Sequence, residues 1–176
     1  MRCFISINIP REVEDKIKEI QRQIKRLGLI EAKFVKKGLF HLTLKFLGEI
    51  DERNVGEVKK KLREIKLSKF ETEINEIGVF SEKFIRIIWV YLARCNILQE
   101  LVDEKLKDLF KPEKRFMSHL TIARVKSIKD KEKFLEKLKK IEIPKIKFAI
   151  DKFYLMKSEL TSERPKYEII EEYELI

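Results

Sequence analysis

Apolar residues recur along this chain with two different periods, and the switches between them mark out its elements. Residues 2–8 alternate or run apolar up to Asn8-Ile9-Pro10, which predicts a strand leading into a helix start. Val13, Ile17, Ile20, Ile24 and Leu27 follow at three- and four-residue steps, an amphipathic helix closed by Gly28. Ala32 to Val35 reads as a short strand, Lys36-Lys37-Gly38 as a turn, and a further strand runs to Leu47, where Gly48 breaks it. A second helix begins near Asp51, a suitable cap, and shows Val55, Val58, Leu62 and Ile65 on one face. Phe70 to Val79 and Phe84 to Ala93 predict strands, and Asn96 to Phe110 a helix whose buried stripe is Ile97, Leu98, Leu101, Val102, Leu106 and Leu109. A strand over about 115–125, a charged helix from Asp130 to Ile141, and strands over Ile143 to Met156 and Tyr167 to Leu175 complete the chain. Several strands are joined by short turns, which favours antiparallel pairing and an α+β fold class. The order of elements in the first half is loosely repeated in the second, so residues 1–176 read as a single domain of two similar lobes.

Two stretches echo one another within this frame. They are Leu39-Phe40-His41-Leu42-Thr43-Leu44-Lys45-Phe46 and Met117-Ser118-His119-Leu120-Thr121-Ile122-Ala123-Arg124. In a strand, side chains alternate between faces, so His and Thr two positions apart point the same way. Leu42 and Leu44, like Leu120 and Ile122, then face a core. A lone strand histidine is ordinarily a surface residue or a satisfied core residue. Here the chain's two histidines sit in the same pattern about half the chain apart, which suggests one from each lobe.

Composition adds three expectations. Hydrophobic residues make up 44% of the chain, enough for a sizeable core, and charged residues 40%, with Lys, Glu and Ile dominant, as in heat-adapted proteins. The net charge of +10 makes polyanions, RNA first, plausible partners, although lysine enrichment alone would give the same balance. Cys3 and Cys95 lack CxxC spacing, the first apolar stretch is too short for a secretory signal, and no run approaches membrane-spanning length. A reducing cytoplasm with free thiols is the simplest setting, with no membrane attachment.

Two histidines across a cleft form a minimal acid–base pair. One neutral imidazole takes a proton from an attacking hydroxyl while an imidazolium protonates the leaving oxygen. An unperturbed pKa near 6.5 makes both forms available at neutral pH. Each Thr hydroxyl, two residues on, can donate to a phosphate oxygen as charge builds there. Neither histidine has Cys, His or Asp at metal-ligand spacing, and none of the five glycines belongs to a Walker loop. Metal-free phosphodiester chemistry, with no cofactor, is the best fit.

The tetrapeptides His41-Leu42-Thr43-Leu44 and His119-Leu120-Thr121-Ile122 resemble the paired His-x-Thr-x motifs of the two-histidine phosphoesterase superfamily, in particular its RNA 2′,3′-cyclic phosphodiesterases, historically called 2′-5′ RNA ligases. The likeness extends to the opening Met1-Arg2-Cys3-Phe4-Ile5-Ser6-Ile7, to Leu42-Thr43-Leu44-Lys45-Phe46-Leu47-Gly48, to Gly78-Val79-Phe80 and to Tyr154-Leu155-Met156-Lys157-Ser158-Glu159-Leu160. It implies a bilobal fold of two pseudo-symmetric lobes, each with an antiparallel sheet and outer helices, around a basic central cleft. It also implies hydrolysis of an RNA 2′,3′-cyclic phosphate to a 2′-phosphate by a monomer, with tRNA fragments among the candidate substrates. By that analogy His119 activates water and His41 protonates the 3′ oxygen, or the reverse. ATP-independent joining of 2′,3′-cyclic phosphate and 5′-hydroxyl ends ranks second, and a non-catalytic RNA-binding module is the alternative from another class.

Arg124 matches a family arginine and is expected to contact phosphate. Strict alternation would put it on the face opposite His119 and Thr121, so a bulge or the strand's end must turn it inward. Lys45 shares the parity of His41 and Thr43 and is expected to contact phosphate too. Tyr154 and Ser158 are further candidates for lining the cleft. Phe46 shares the parity of Leu42 and Leu44 and is read as core rather than as a stacking platform. Trp89, in an apolar run, is read as core as well.

Overall fold

The computed structural model describes residues 1–162 and 165–176. Its elements are β1 (Arg2–Asn8), α1 (Arg11–Arg26), β2 (Ile30–Phe34), β3 (His41–Glu49), α2 (Glu52–Leu62), β4 (Phe70–Val79), β5 (Ile87–Leu92), α3 (Asn96–Leu106), β6 (His119–Ile128), α4 (Lys131–Lys139), β7 (Ile146–Ile150), β8 (Lys152–Glu159) and β9 (Lys166–Glu174). The helix starts follow local chemistry. The Asp51 carboxylate accepts the Asn54 N–H at 2.7 Å and the Asp130 carboxylate accepts the Lys133 N–H at 3.0 Å, each satisfying an orphan donor of the first turn. Gly28, at φ +65°, terminates the run that α1 begins.

The strands form two antiparallel sheets, one ordered β3-β1-β8-β9 and the other β2-β6-β5-β4-β7. The fold is therefore α+β and two-lobed. The lobes are not the two halves of the sequence, because the halves exchange pieces. β4, from the first half, pairs with β5, and β8, from the second, returns to pair with β1. The helices cross over too: α1, which follows β1, packs on β6 and β7 of the other sheet, whereas α3, which follows β5, packs on β3 beside α2. One contiguous apolar core results, running from Ile5, Ile17 and Leu44 to Val90, Leu120 and Phe134. Among the described residues no helix is long and apolar enough to cross a membrane.

Three elements differ from the sequence reading. Gly48 does not end its strand: at φ +73° it lies in an irregularity opposite Cys3, and pairing continues to Glu49. The third helix stops at Leu106, and Ile97 in its first turn is 56% exposed, while Leu98, Gln99, Val102 and Leu106 point inward. The segment read as one strand from Ile143 to Met156 is two, in different sheets, with the chain crossing at Asp151. The buried positions there switch phase, from Ile146, Phe148 and Ile150 to Phe153 and Leu155, as a change of sheet requires.

Candidate active site

The two His-x-Thr strands meet where the sheets adjoin. β3 is the edge strand of its sheet and packs against β6 of the other without sharing a ladder with it. On each strand the imidazole is locked in the same way. His41 Nδ1 lies 2.9 Å from the Leu39 carbonyl oxygen and His119 Nδ1 lies 2.8 Å from that of Met117, in both cases two residues back. A carbonyl only accepts, so both Nδ1 atoms carry hydrogen, and each neutral ring presents its Nε2 lone pair outward. Aromatic edges hold the rings further. Tyr167 packs on His41 at 4.9 Å between centroids, with Phe4 at 5.1 Å, and Phe80 packs edge-on to His119 at 4.8 Å.

The strands share a second feature that alternation alone does not reveal. Along β3, Thr43 pairs with Ser6 and Lys45 with Ile5, so Leu44 is an extra residue. Along β6, Thr121 pairs with Trp89 and Ala123 with Ile88, so Ile122 is the extra residue. Each bulge puts two consecutive side chains on the core side and reverses the parity beyond it. Leu44 and Lys45 are therefore both buried, as are Ile122 and Ala123, and the next side chains, Phe46 and Arg124, turn to the histidine face.

Arg124 thus shares a face with His119 and Thr121, through the kind of bulge its expected role requires. It is exposed and enters no ion pair among the described residues. Its charge bears on His41, His119 and Tyr167 together, so the guanidinium sits within electrostatic reach of both lobes. The β6 bulge is held by a side chain from the other half of the chain. Gln21 of α1, fully buried, donates from Nε2 to the carbonyls of Ile122, at 2.8 Å, and Val35, at 3.0 Å.

The same device removes Lys45 from the site. Its side chain is 2% exposed, its ammonium pairs with Asp103 of α3, and it donates to the Lys111 carbonyl at 2.8 Å. The expected phosphate contact is corrected: the Leu44 bulge points Lys45 away from His41 and Thr43. Phe46, read as core, is 65% exposed on the cleft side. Trp89 is buried, but beneath the site, paired with Thr121 and adjoining Phe80 at 6.0 Å. Gly78 is its floor, since a Cβ there would come within 2.6 Å of the indole. Tyr154 lies on the cleft face in the row Thr43, Ser6, Tyr154, two strands from the His41 strand, and Ser158 lies farther along that strand between Arg2 and Tyr167. Sequence reasoning did not single out Tyr167, Phe4 or Gln21. Phe4 lies in the opening run that resembles the family's, but no motif marks Tyr167 or Gln21, which are recruited from a distant strand and a helix.

Both histidines titrate below the ordinary imidazole value. Burial is the main cause for each. The hydrogen bond to the carbonyl opposes it, and the Arg124 charge adds to it, joined at His41 by His119. The balance between the two protonation states expected at neutral pH is therefore shifted, in the ligand-free protein, toward the neutral form of each ring. Burial raises the phenols of Tyr167 and Tyr154, which keeps them hydrogen-bond donors. A pair of outward Nε2 atoms, two adjacent hydroxyls and a free guanidinium can bind a phosphate and move protons on either side of it.

The chain is similar to known proteins in sequence and in fold. The chain is 35% identical to an RNA 2′,3′-cyclic phosphodiesterase of Methanocaldococcus jannaschii, over 98% of this chain and 100% of that one, and 34% identical to one of Thermotoga maritima, over 98% and 94%. In structure it resembles the Thermus thermophilus protein TT0787, with a TM-score of 0.82 at 23% identity over 99% and 98% of the two chains. It also resembles E. coli LigT in its apo form, with 0.79 at 18% identity over 99% and 96%. The family described as LigT-like phosphoesterase matches residues 7–89 and 93–167, and with most of its length so matched the chain belongs to that family.

Proposed function

We propose that this protein is an RNA 2′,3′-cyclic phosphodiesterase that opens the ring to a 2′-phosphate by two-histidine acid–base catalysis. The observation that carries the reading is the paired imidazole geometry: rings from two different sheets, each pinned through Nδ1, each presenting Nε2 to a face shared with Arg124. His119 Nε2 takes a proton from water, whose oxygen bonds to phosphorus in line with the P–O3′ bond. That bond breaks, and O3′ takes the proton carried by His41 Nε2, leaving the phosphate on O2′. Thr43, Thr121 and Arg124 stabilise the charge on the non-bridging oxygens. The anionic substrate favours the His41 imidazolium, because the charge of a bound phosphate opposes both the burial that chiefly disfavours it and the lesser Arg124 charge. The curated relatives' names support the reaction, and the net charge of +10 supports RNA, tRNA fragments included, as substrate. The free, buried thiols of Cys3 and Cys95 suit a reducing cytoplasm.

The test is incubation of the purified protein with a nucleoside 2′,3′-cyclic phosphate in EDTA, followed by product identification. The expected product is the 2′-phosphate, and turnover falls by a factor of hundreds or more in His41→Ala and in His119→Ala. Turnover that the chelator abolishes, or that survives either substitution, refutes the mechanism.

A further inference from the structure

Two polar side chains interrupt the apolar face of α1. Glu14 is 4% exposed and Gln21 is fully buried, among Val13, Ile17, Ile20 and Ile24. They stand seven residues apart, two helical turns, so both project from one face about 10 Å apart along the axis. Such positions are ordinarily apolar, because a buried carboxylate or amide is costly to desolvate. Burial pushes the Glu14 carboxyl up, and the Gln21 Oε1 atom is buried without a partner among the described residues. That cost points to a role beyond packing, and each side chain reaches main-chain atoms of a segment that carries a catalytic group.

The Glu14 carboxylate accepts the Gly38 N–H at 3.0 and 3.2 Å on its two oxygens. Gly38 belongs to the turn that the Leu39 N–H closes onto the Lys36 carbonyl at 3.1 Å, and the Leu39 carbonyl is the acceptor that locks His41 Nδ1. Gln21 acts on the other strand. Its two partners, Ile122 and Val35, are both carbonyls, which fixes its amide with Nε2 toward them. The Ile122 carbonyl also accepts the Val35 N–H at 3.0 Å, so two donors hold the bulge residue that turns Arg124 to the histidine face. We infer that Glu14 and Gln21 are positioning residues of the acid–base site, the first fixing the carbonyl that sets the His41 tautomer and the second the bulge that aims Arg124. The inference rests on the phosphodiesterase reading for its consequence in turnover. One rigid helix then sets groups on both sheets, His41 on one and Arg124 on the other, from behind the cleft.

The experiment follows the two histidine rings by NMR in the ligand-free protein, beside turnover of a nucleoside 2′,3′-cyclic phosphate. At about pH 8, where the rings are neutral, ring nitrogen shifts report the tautomer. Glu14→Met is expected to drain His41 of its Nδ1–H form while His119 keeps its own, and to lower kcat/KM on the order of a hundredfold, the scale of a small misplacement. Glu14→Gln, whose amide oxygen still accepts the Gly38 N–H, restores the parent tautomer and most of the turnover. Gln21→Met leaves both tautomers intact but shifts both ring titrations upward, as Arg124→Met does, and adds nothing further in the Arg124→Met background. Gln21→Asn, with the amide too short to reach both carbonyls, gives the same signature should the methionine variant fail to fold. A His41 tautomer unchanged in Glu14→Met overturns the first role, because the buried Phe40 alone would then fix the turn. Ring titrations that stay put in the Gln21 variants, or shifts that simply add to those of Arg124→Met, overturn the second. Failure of the parent to turn over the cyclic phosphate would instead refute the phosphodiesterase reading, and the ring signals would still decide the positioning.

Discussion

Arg124 acts on two imidazoles at once, and the sign of its effect is opposite for binding and for protonation. Its charge attracts the phosphate, yet together with burial it disfavours the imidazolium of His41 and of His119, holding both below the ordinary value near 6.5. Free enzyme therefore populates the singly protonated acid–base pair chiefly below about pH 6.5. The kcat/KM profile is expected to peak there, and the kcat profile, which reports the substrate complex, at higher pH. Replacing Arg124 with Met should raise both imidazole pKa values, read by NMR titration of the two histidine ring signals. Stability follows the same linkage. A histidine whose folded value is depressed contributes stability that is fully present above about pH 6.5 and lost as pH falls through the folded value. Arg124→Met should therefore soften the acid-side loss of stability. Ring titrations that do not move in the variant would show that the guanidinium lies too far away to act.

At the level of elements, the site depends on two single-residue bulges and on the helices that hold them. The parity of His41 with Thr43, and of His119 with Thr121, was legible because it needs only a strand. The core positions Leu42, Leu44, Leu120 and Ile122 were legible for the same reason. The reversals after Leu44 and Ile122 were not, because a bulge is a backbone event whose residues look like ordinary strand residues. A trace of it exists at Ile122-Ala123, two consecutive buried apolar residues where alternation calls for one. No such trace marks Leu44-Lys45, and there parity misled: an amine drawn toward phosphate by its sequence position is buried against α3. The buried pair makes a quantitative prediction. Burial alone would raise the Asp103 carboxyl, but hydrogen bonds from Lys45, the Glu113 N–H and Gln99 hold it below the usual carboxylate range. Asp103→Ala strands the Lys45 ammonium and is expected to lower stability by about 3 kcal/mol in denaturant titrations. Lys45→Met removes the buried charge while Asp103 keeps its other donors, so its loss should be smaller. At 25 °C Lys45→Met should retain turnover, because its ammonium never reaches the cleft. A loss on the scale of the histidine variants would return Lys45 to the site.

At the scale of the molecule, the exchange of elements between halves decides how the lobes respond to stress. Each sheet needs strands from both halves, and each is covered by a helix that follows a strand of the other sheet. The polar ties cross the same boundary, from Gln21 of α1 to Ile122 of β6 and from Asp103 of α3 to Lys45 of β3. Separating the lobes would expose the contiguous core, although each bulge would keep its tie, so the cleft cannot gain mobility by letting one lobe unfold alone. The single tryptophan makes this measurable. Trp89 is buried in the five-stranded sheet, whereas far-ultraviolet circular dichroism averages over helices on both sheets. Heating monitored by both probes is expected to give one coincident transition. Its midpoint should lie above about 60 °C, given the charged composition and ties such as Arg63 and Lys59 to Glu171, which clamp α2 and the turn after it to β9. Two separated transitions would mean that the lobes are thermodynamically independent. The shared face of His41 and His119 would then be a loose juxtaposition, set by whichever lobe unfolds last, rather than a preorganised site.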